Sequence, residues 1–215
     1  MASNQTFVTI GDCVIHSTAR VQDGAIIGKP FRPLLENQAT FPATRTAIGP
    51  DTYVGYYVLV GAGSSIGKGV ILDDFSVVEC DVNIGSDSLL IYRAQICNEA
   101  RIGSGCVIGG FVAERVVVGD QSRVFGKIVH SQRDPTVPWD APDAEEGSAV
   151  VKDRVFIGFN ALVIGQVTIG PRVYICSGAI VTKDVPPGYI VSGVNKITPY
   201  TEWRGTLHES SFFRG

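Results

Sequence analysis

The chain is poor in the residues from which most active sites are built. Its 215 residues include three histidines, two tryptophans and one methionine. Charged residues make up 18% and leave a net charge of −3. No run of Lys or Arg stands out, which argues against nucleic acid as a partner. No stretch approaches the ~18 apolar residues of a membrane span, and the opening MASNQTFVTIG lacks the cationic-then-apolar order of a secretory leader. The five cysteines (Cys13, Cys80, Cys97, Cys106, Cys176) are odd in number and form no CxxC. That fits reduced thiols in a cytoplasmic protein better than a disulfide or zinc framework. His16 and His208 lie near the chain ends without ligand-like spacing, so three imidazoles on one metal are not expected either.

What the chain has in excess is glycine, 25 residues, and a period. Every sixth residue from 48 is aliphatic: Ile48, Val54, Val60, Ile66, Leu72, Val78, Ile84, Leu90, Ile96, Ile102, Ile108. The fifth place of each hexad is small or β-branched, from Thr52 and Val58 to Cys106 and Val112. Val151, Ile157, Val163, Ile169, Ile175 and Val181 keep the rule, with Val185 closing as a fifth-place residue. Shorter pieces fit at Ile15, Val21 and Ile27, and at Val118 and Val124.

A helix repeats near 3.6 residues and a strand near 2, so a strict six fits neither alone. A solenoid explains it: each hexad is a short strand and a corner, and three hexads close one triangular coil. Gly or Asp recurs at the corners (Asp51, Gly63, Gly69, Asp81, Asp87, Gly105), as a turn with positive φ favours. The reading predicts an all-β parallel solenoid of about seven coils, roughly 35 Å tall.

Departures from a repeat are where function concentrates in such arrays. Three are expected, at 28–47, 112–117 and 130–150, within a domain spanning 1–197 that is followed by a tail at 198–215. The first contains PFRPLL, too apolar for a solvated loop, and is expected to cover coil edges, meet a neighbouring subunit or line a cleft. The third, HSQRDPTVPWDAPDAEEGS, brings His130 together with Asp134, Trp139 and Asp140.

The segment VFIGFNALVIGQVTIGPRVYICSGAIVTKDVPPGYIVSG, 155–193, closely resembles the signature of the hexapeptide-repeat acyltransferases. The resemblance implies a left-handed parallel β-helix, an acetyl-CoA donor, and a homotrimer with active sites in the clefts between prisms. Carried over residue by residue, it implies that the pantetheine arm passes Gly158, Ala161, Ser177, Gly178 and Ala179, with Thr182 and Lys183 at the nucleotide end. Two departures stand out: Cys176-Ser177-Gly178-Ala179 replaces the usual Gly-Ala-Gly-Ser after Ile175, and Gly193-Val194-Asn195-Lys196 replaces the Gly-x-Pro-Ala stop. The second predicts a different exit from the prism.

Many members place a catalytic His just before a V-x-x-x-V-x-IG restart. His130 stands there, ahead of Val151 to Gly158. A neutral hydroxyl or an ammonium is a poor nucleophile at neutral pH, so a positioned imidazole that removes its proton suits the transfer. Asp134 is a candidate to orient the ring. Trp139 and Asp140 are candidates for an acceptor wall, suited to a sugar, an amino sugar or an antibiotic as acceptor. The expected activity is O- or N-acetyl transfer to a small polar molecule, without a metal. A non-catalytic or regulatory scaffold is the rival, and a base supplied by the substrate itself is a further alternative.

Overall fold

A computed structural model describes residues 6–30, 45–131, 147–205, 207 and 211–213. Each hexad forms a short strand whose aliphatic residue points inward, followed by a corner. Successive strands fall on three sheets in turn. Sheet A has nine strands, from Val8–Thr9 to Ile180–Val181. Sheet B has eight, from Cys13–Ile15 to Thr168–Ile169, and sheet C has ten, ending with Tyr189–Ser192 and Lys196–Pro199. Every strand pairs in parallel with its equivalent one coil away, except the final pair. This is the architecture of a left-handed parallel β-helix, with nine strands on sheet A rather than the seven coils expected.

Inward residues such as Leu72, Leu90, Ile108, Ile157 and Ile175 are fully buried and stack into one continuous core. Fifth-place residues are buried as well, including hydroxyls at Thr52, Ser64, Ser88 and Ser122. Those hydroxyls bond the backbone of the next coil: Ser64 Oγ donates to the Glu79 carbonyl at 2.7 Å and accepts the Val82 N–H at 3.1 Å. A small polar residue is therefore tolerated in the core because the coil supplies its partners.

The corners turn through positive φ at the fourth place. Gly63, Gly69, Gly105, Asp51, Asp81 and Asp87 sit there as expected. Tyr57, Phe75, Arg93, Glu99, Arg115 and Gln121 sit there too, so coil closure overrides a preference worth about 1–2 kcal/mol per residue. Backbone hydrogen bonds hold these corners, for example Phe75 N–H to the Tyr56 carbonyl and Glu99 N–H to the Cys80 carbonyl, both 2.9 Å.

The hexad count is corrected at three corners that are two residues short. Val112 pairs with Ile96 and Ile128, so it is an inward strand residue rather than the fifth place of the preceding hexad. The slip expected at 112–117 thus lies just upstream, at Gly109 and Gly110. A second short corner runs from Val124 to Ile128 through Phe125 and Gly126 and adds the strand Lys127–Val129 before the long interruption. The third runs from Val181 to Val185, which bridges Ile169 and is 2% exposed.

The prism ends in an antiparallel hairpin, Tyr189–Ser192 against Lys196–Pro199, turned by Gly193 and Asn195 with φ of 55° and 49°. That is the different exit the sequence predicts. Beyond it, Phe212 meets Tyr174 edge-on at 5.7 Å and Phe213 stacks on Tyr200 at 4.0 Å. These rings lay part of the tail on the chain's own sheet C.

Candidate functional site

The two long interruptions leave the prism at the same edge, where sheet A turns toward sheet B. The chain departs after Lys29 in the first case and after Val129 in the second. Five coil steps separate the departures along sheet A, about 24 Å at 4.8 Å per step. The strand pairings stack Cys80, Asn98, Glu114, His130, Gly165 and Lys183 along the edge between and beyond them.

This column is polar and partly sealed. Cys80 N–H donates to Asn98 Oδ1 at 3.0 Å, Asn98 N–H to Glu79 Oε2 at 3.2 Å and Asn98 Nδ2 to Glu114 Oε1 at 3.3 Å. Gln95 Nε2 donates to Glu79 Oε1 at 3.1 Å, and Ser148 Oγ donates to the Glu114 carbonyl at 2.8 Å. The Cys97 thiol lies among them. Burial, together with the Glu79 and Glu114 carboxylates, pushes it far above the usual thiol range.

His130 sits one coil from Glu114 on one side and from Gly165 on the other. The residue is half-buried, and its Nε2 is shielded from solvent and has no hydrogen-bond partner among the described residues. A glycine in the next coil leaves room for the residue after the histidine, because a Cβ at Gly165 would lie 3.3 Å from that of Ser131. Ser76 Oγ and Trp203 Nε1 are the other buried side-chain polar atoms without a partner among the described residues.

The sequence-predicted residues separate into groups. His130, Thr182 and Lys183 share the A–B edge, and Lys183 is exposed there. Thr182 is held by Asn195: its N–H donates to Asn195 Oδ1, and its Oγ1 accepts from Asn195 Nδ2, each at 2.8 Å. Asn195, one of the departures from the usual stop, thereby fixes the turn that carries Lys183. Gly158, Ser177 and Gly178 lie on the opposite edge of sheet A, where sheet C turns into it. Ser177 and Gly178 are exposed and Gly158 is buried. Ala161 and Ala179 point into the core at 0% exposure, so only their backbone could meet a ligand. Their N–H groups are already spent on the Gly158 and Cys176 carbonyls, and the Gly178 N–H on that of Phe159. Asp134, Trp139, Asp140 and His208 lie outside the described residues. His16 is at the far end of the prism, bonded through Nδ1 to Thr18 at 3.0 Å.

Sequence reading missed Glu114 as the neighbour of His130, with Asn98 one coil beyond it. Glu114 is 16 rather than 18 residues before His130, a spacing that exists only because the intervening coil contains a short corner.

Residues 148–183 match the model of the bacterial transferase hexapeptide family (six repeats). Among curated proteins, the chain is 25% identical over 206 residues to the bifunctional protein GlmU of Heliobacterium modesticaldum, covering 83% of this chain and 44% of that protein. It is 30% identical over 168 residues to GlmU of Synechococcus elongatus, covering 74% of this chain and 36% of that protein. The chain thus spans less than half the length of these curated relatives. Among solved structures, LpxA from Acinetobacter baumannii is similar at a TM-score of 0.49 and 19% identity, covering 89% of this chain and 70% of that one. No helix among the described residues is long and apolar enough to cross a membrane. With the family match inside a three-sheet parallel coil that runs along the described chain, this protein belongs to the hexapeptide-repeat transferase family.

Proposed function

We propose that the protein is an acetyl-CoA-dependent acyltransferase acting on a hydroxyl or amine of a sugar, an amino sugar or a related small polar molecule. The observation that carries the reading is the orphaned Nε2 of His130, at the edge where both long interruptions leave the prism. The donor lies across the outer face of sheet A, from Ser177 and Gly178 over the half-buried Leu162 and Ile180, toward His130. Lys183, two coils from His130, meets phosphate oxygens of the donor as a point charge. A homotrimer supplies the remaining wall of the cleft, and the reaction takes place in the cytoplasm.

His130 Nε2 removes the proton from the acceptor hydroxyl or amine as that atom attacks the thioester carbonyl. The carbon–sulfur bond then breaks, and the imidazolium returns the proton to the departing thiolate. Products are the acylated acceptor and the free coenzyme thiol. Asp134, Trp139 and Asp140 complete the acceptor side, and the prism of 1–197 forms the working domain with 198–215 as its tail.

Calorimetric titration with acetyl-CoA, on wild type and His130→Ala, tests the reading. Saturable binding by both, with turnover lower in the variant by about 10²- to 10⁴-fold, is the expected result. Absence of binding by the wild type would overturn the donor assignment, and full turnover by the variant would overturn the base.

A further inference from the structure

Sheet A ends before the chain does. At successive coils the residue after the inward one on sheet A donates its N–H to the inward carbonyl one coil further on. Glu79 donates to Ile96, Cys97 to Val112 and Ala113 to Ile128, at 2.9, 2.9 and 3.0 Å. Thr182 holds the same place after the last sheet A strand, Ile180–Val181. Among the described residues no further strand of sheet A follows, and the chain turns through Gly193, Val194 and Asn195 into the closing hairpin.

The side chain of Asn195 takes the part of the missing strand. Ile180 N–H donates to the Gly193 carbonyl at 2.8 Å, Val194 bridges Ile180 in parallel, and Asn195 N–H donates back to the Ile180 carbonyl at 2.9 Å. Thr182 then needs an acceptor where the next coil's carbonyl would lie. Asn195 Oδ1 stands there, 2.8 Å from the Thr182 N–H. Asn195 Nδ2 adds a bond to Thr182 Oγ1 at 2.8 Å, which a backbone carbonyl could not make. The φ of 49° at Asn195 sends the backbone away into the hairpin while the carboxamide stays on sheet A. Asn accepts that conformation more readily than most residues. Proline, which the usual stop has at this place, could neither adopt it nor supply the carboxamide.

These bonds pin the corner that carries Lys183. Asn195 holds it on the sheet A side, and on the sheet B side the Asp184 carboxylate accepts the Thr168 N–H at 2.7 Å. Lys183, between them, is exposed and makes no ion pair among the described residues, and the acid beside it is spent on Thr168. A lysine is a point charge on a flexible stem, so the region it can reach is set by the backbone that bears it. We infer that Asn195 is a positioning residue for the donor: its carboxamide replaces the missing strand at Thr182 and so holds Lys183 where it meets the donor's phosphates. The inference deepens the acyltransferase reading and rests on it.

Acetyl-CoA is titrated by calorimetry into wild type, Asn195→Gly, Lys183→Ala and the double variant, at about 0.05 and 0.5 M KCl. Glycine keeps the positive φ and removes only the carboxamide. At the lower salt Lys183→Ala should weaken binding about ten-fold and Asn195→Gly about three- to five-fold, with the double variant no weaker than Lys183→Ala. At the higher salt the Asn195→Gly deficit should shrink, because the attraction it serves is screened. Thr182→Val loses only the bond at Oγ1 and should show the same dependence on Lys183 in smaller measure. Wild-type affinity in Asn195→Gly would overturn the inference. So would losses that add in the double variant, or a deficit of equal size at both salt concentrations, since the carboxamide would then support the end of the prism and not act through Lys183. Acetyl-CoA binding by the wild type is the separate readout of the acyltransferase reading, and its absence would sink that reading and the inference with it.

Discussion

Ser64 and Ser76 offer a matched test of what holds the coil together. Both occupy the fifth place of a hexad, and both are at 0% exposure. Ser64 Oγ donates to the Glu79 carbonyl and accepts the Val82 N–H, whereas Ser76 Oγ has no partner among the described residues. Ser64→Ala removes one donor and one acceptor and leaves two backbone groups buried, a loss of about 1–3 kcal/mol. For a chain of this size each kcal/mol shifts the melting temperature by about 2–4 °C. Ser76→Ala discards a hydroxyl that is buried without compensation, so its effect lies between none and a gain of about 1 kcal/mol. Thermal melts followed by circular dichroism, with urea titrations alongside, would measure both variants. Hydrogen exchange at the Val82 amide should accelerate in Ser64→Ala alone. Equal destabilisation by the two substitutions would refute the argument, since fifth-place serines would then act by volume and not through the hydroxyl.

Cys97 should resist a thiol reagent at pH 8 until denaturant is added; labelling at the denatured rate in native buffer would contradict its sealed position beside Glu79 and Glu114. Because the folded thiol is held above its unfolded value of about 8.5, its contribution to stability is intact below that pH. It is lost as pH rises toward the folded value, so the wild-type melting temperature should fall more between pH 8 and 10 than that of Cys97→Ala. Glu99 occupies a positive-φ corner at 59°. Glu99→Asn should raise the melting temperature, by up to about 1 kcal/mol in stability, and a drop would show that the Glu side chain contributes more than its backbone strain costs.

The inward residues were legible because an aliphatic side chain recurs at every sixth position and nothing else explains that period. The short corners were not. Val112 and Val185 satisfy the rule for a fifth-place residue and the rule for an inward strand residue equally well, since both places want a small or branched aliphatic group. The pairs Gly109–Gly110 and Phe125–Gly126 held the missing signal, as glycines where one coil's backbone must approach the next. Corner chemistry was legible only in part: Asp51 and Gly63 announce a positive φ, whereas Tyr57, Phe75 and Arg93 adopt one against their own preference. The position of His130 followed from the restart motif. Its polar column did not, because Glu114 becomes its neighbour only through a 16-residue coil.

The short corners carry a consequence for how such a chain can change length. From Ile48 to Ile128, and again from Val151 to Val191, successive inward residues are six or four apart, never five. Side chains alternate faces with each residue, so removing two leaves the core facing inward, while removing one would turn every following strand inside out. Odd offsets occur only across the two long interruptions, from Ile27 to Ile48 and from Ile128 to Val151. Indels within the prism are therefore confined to even numbers, and the two excursions are where the chain can shift its parity and gain or lose residues one at a time.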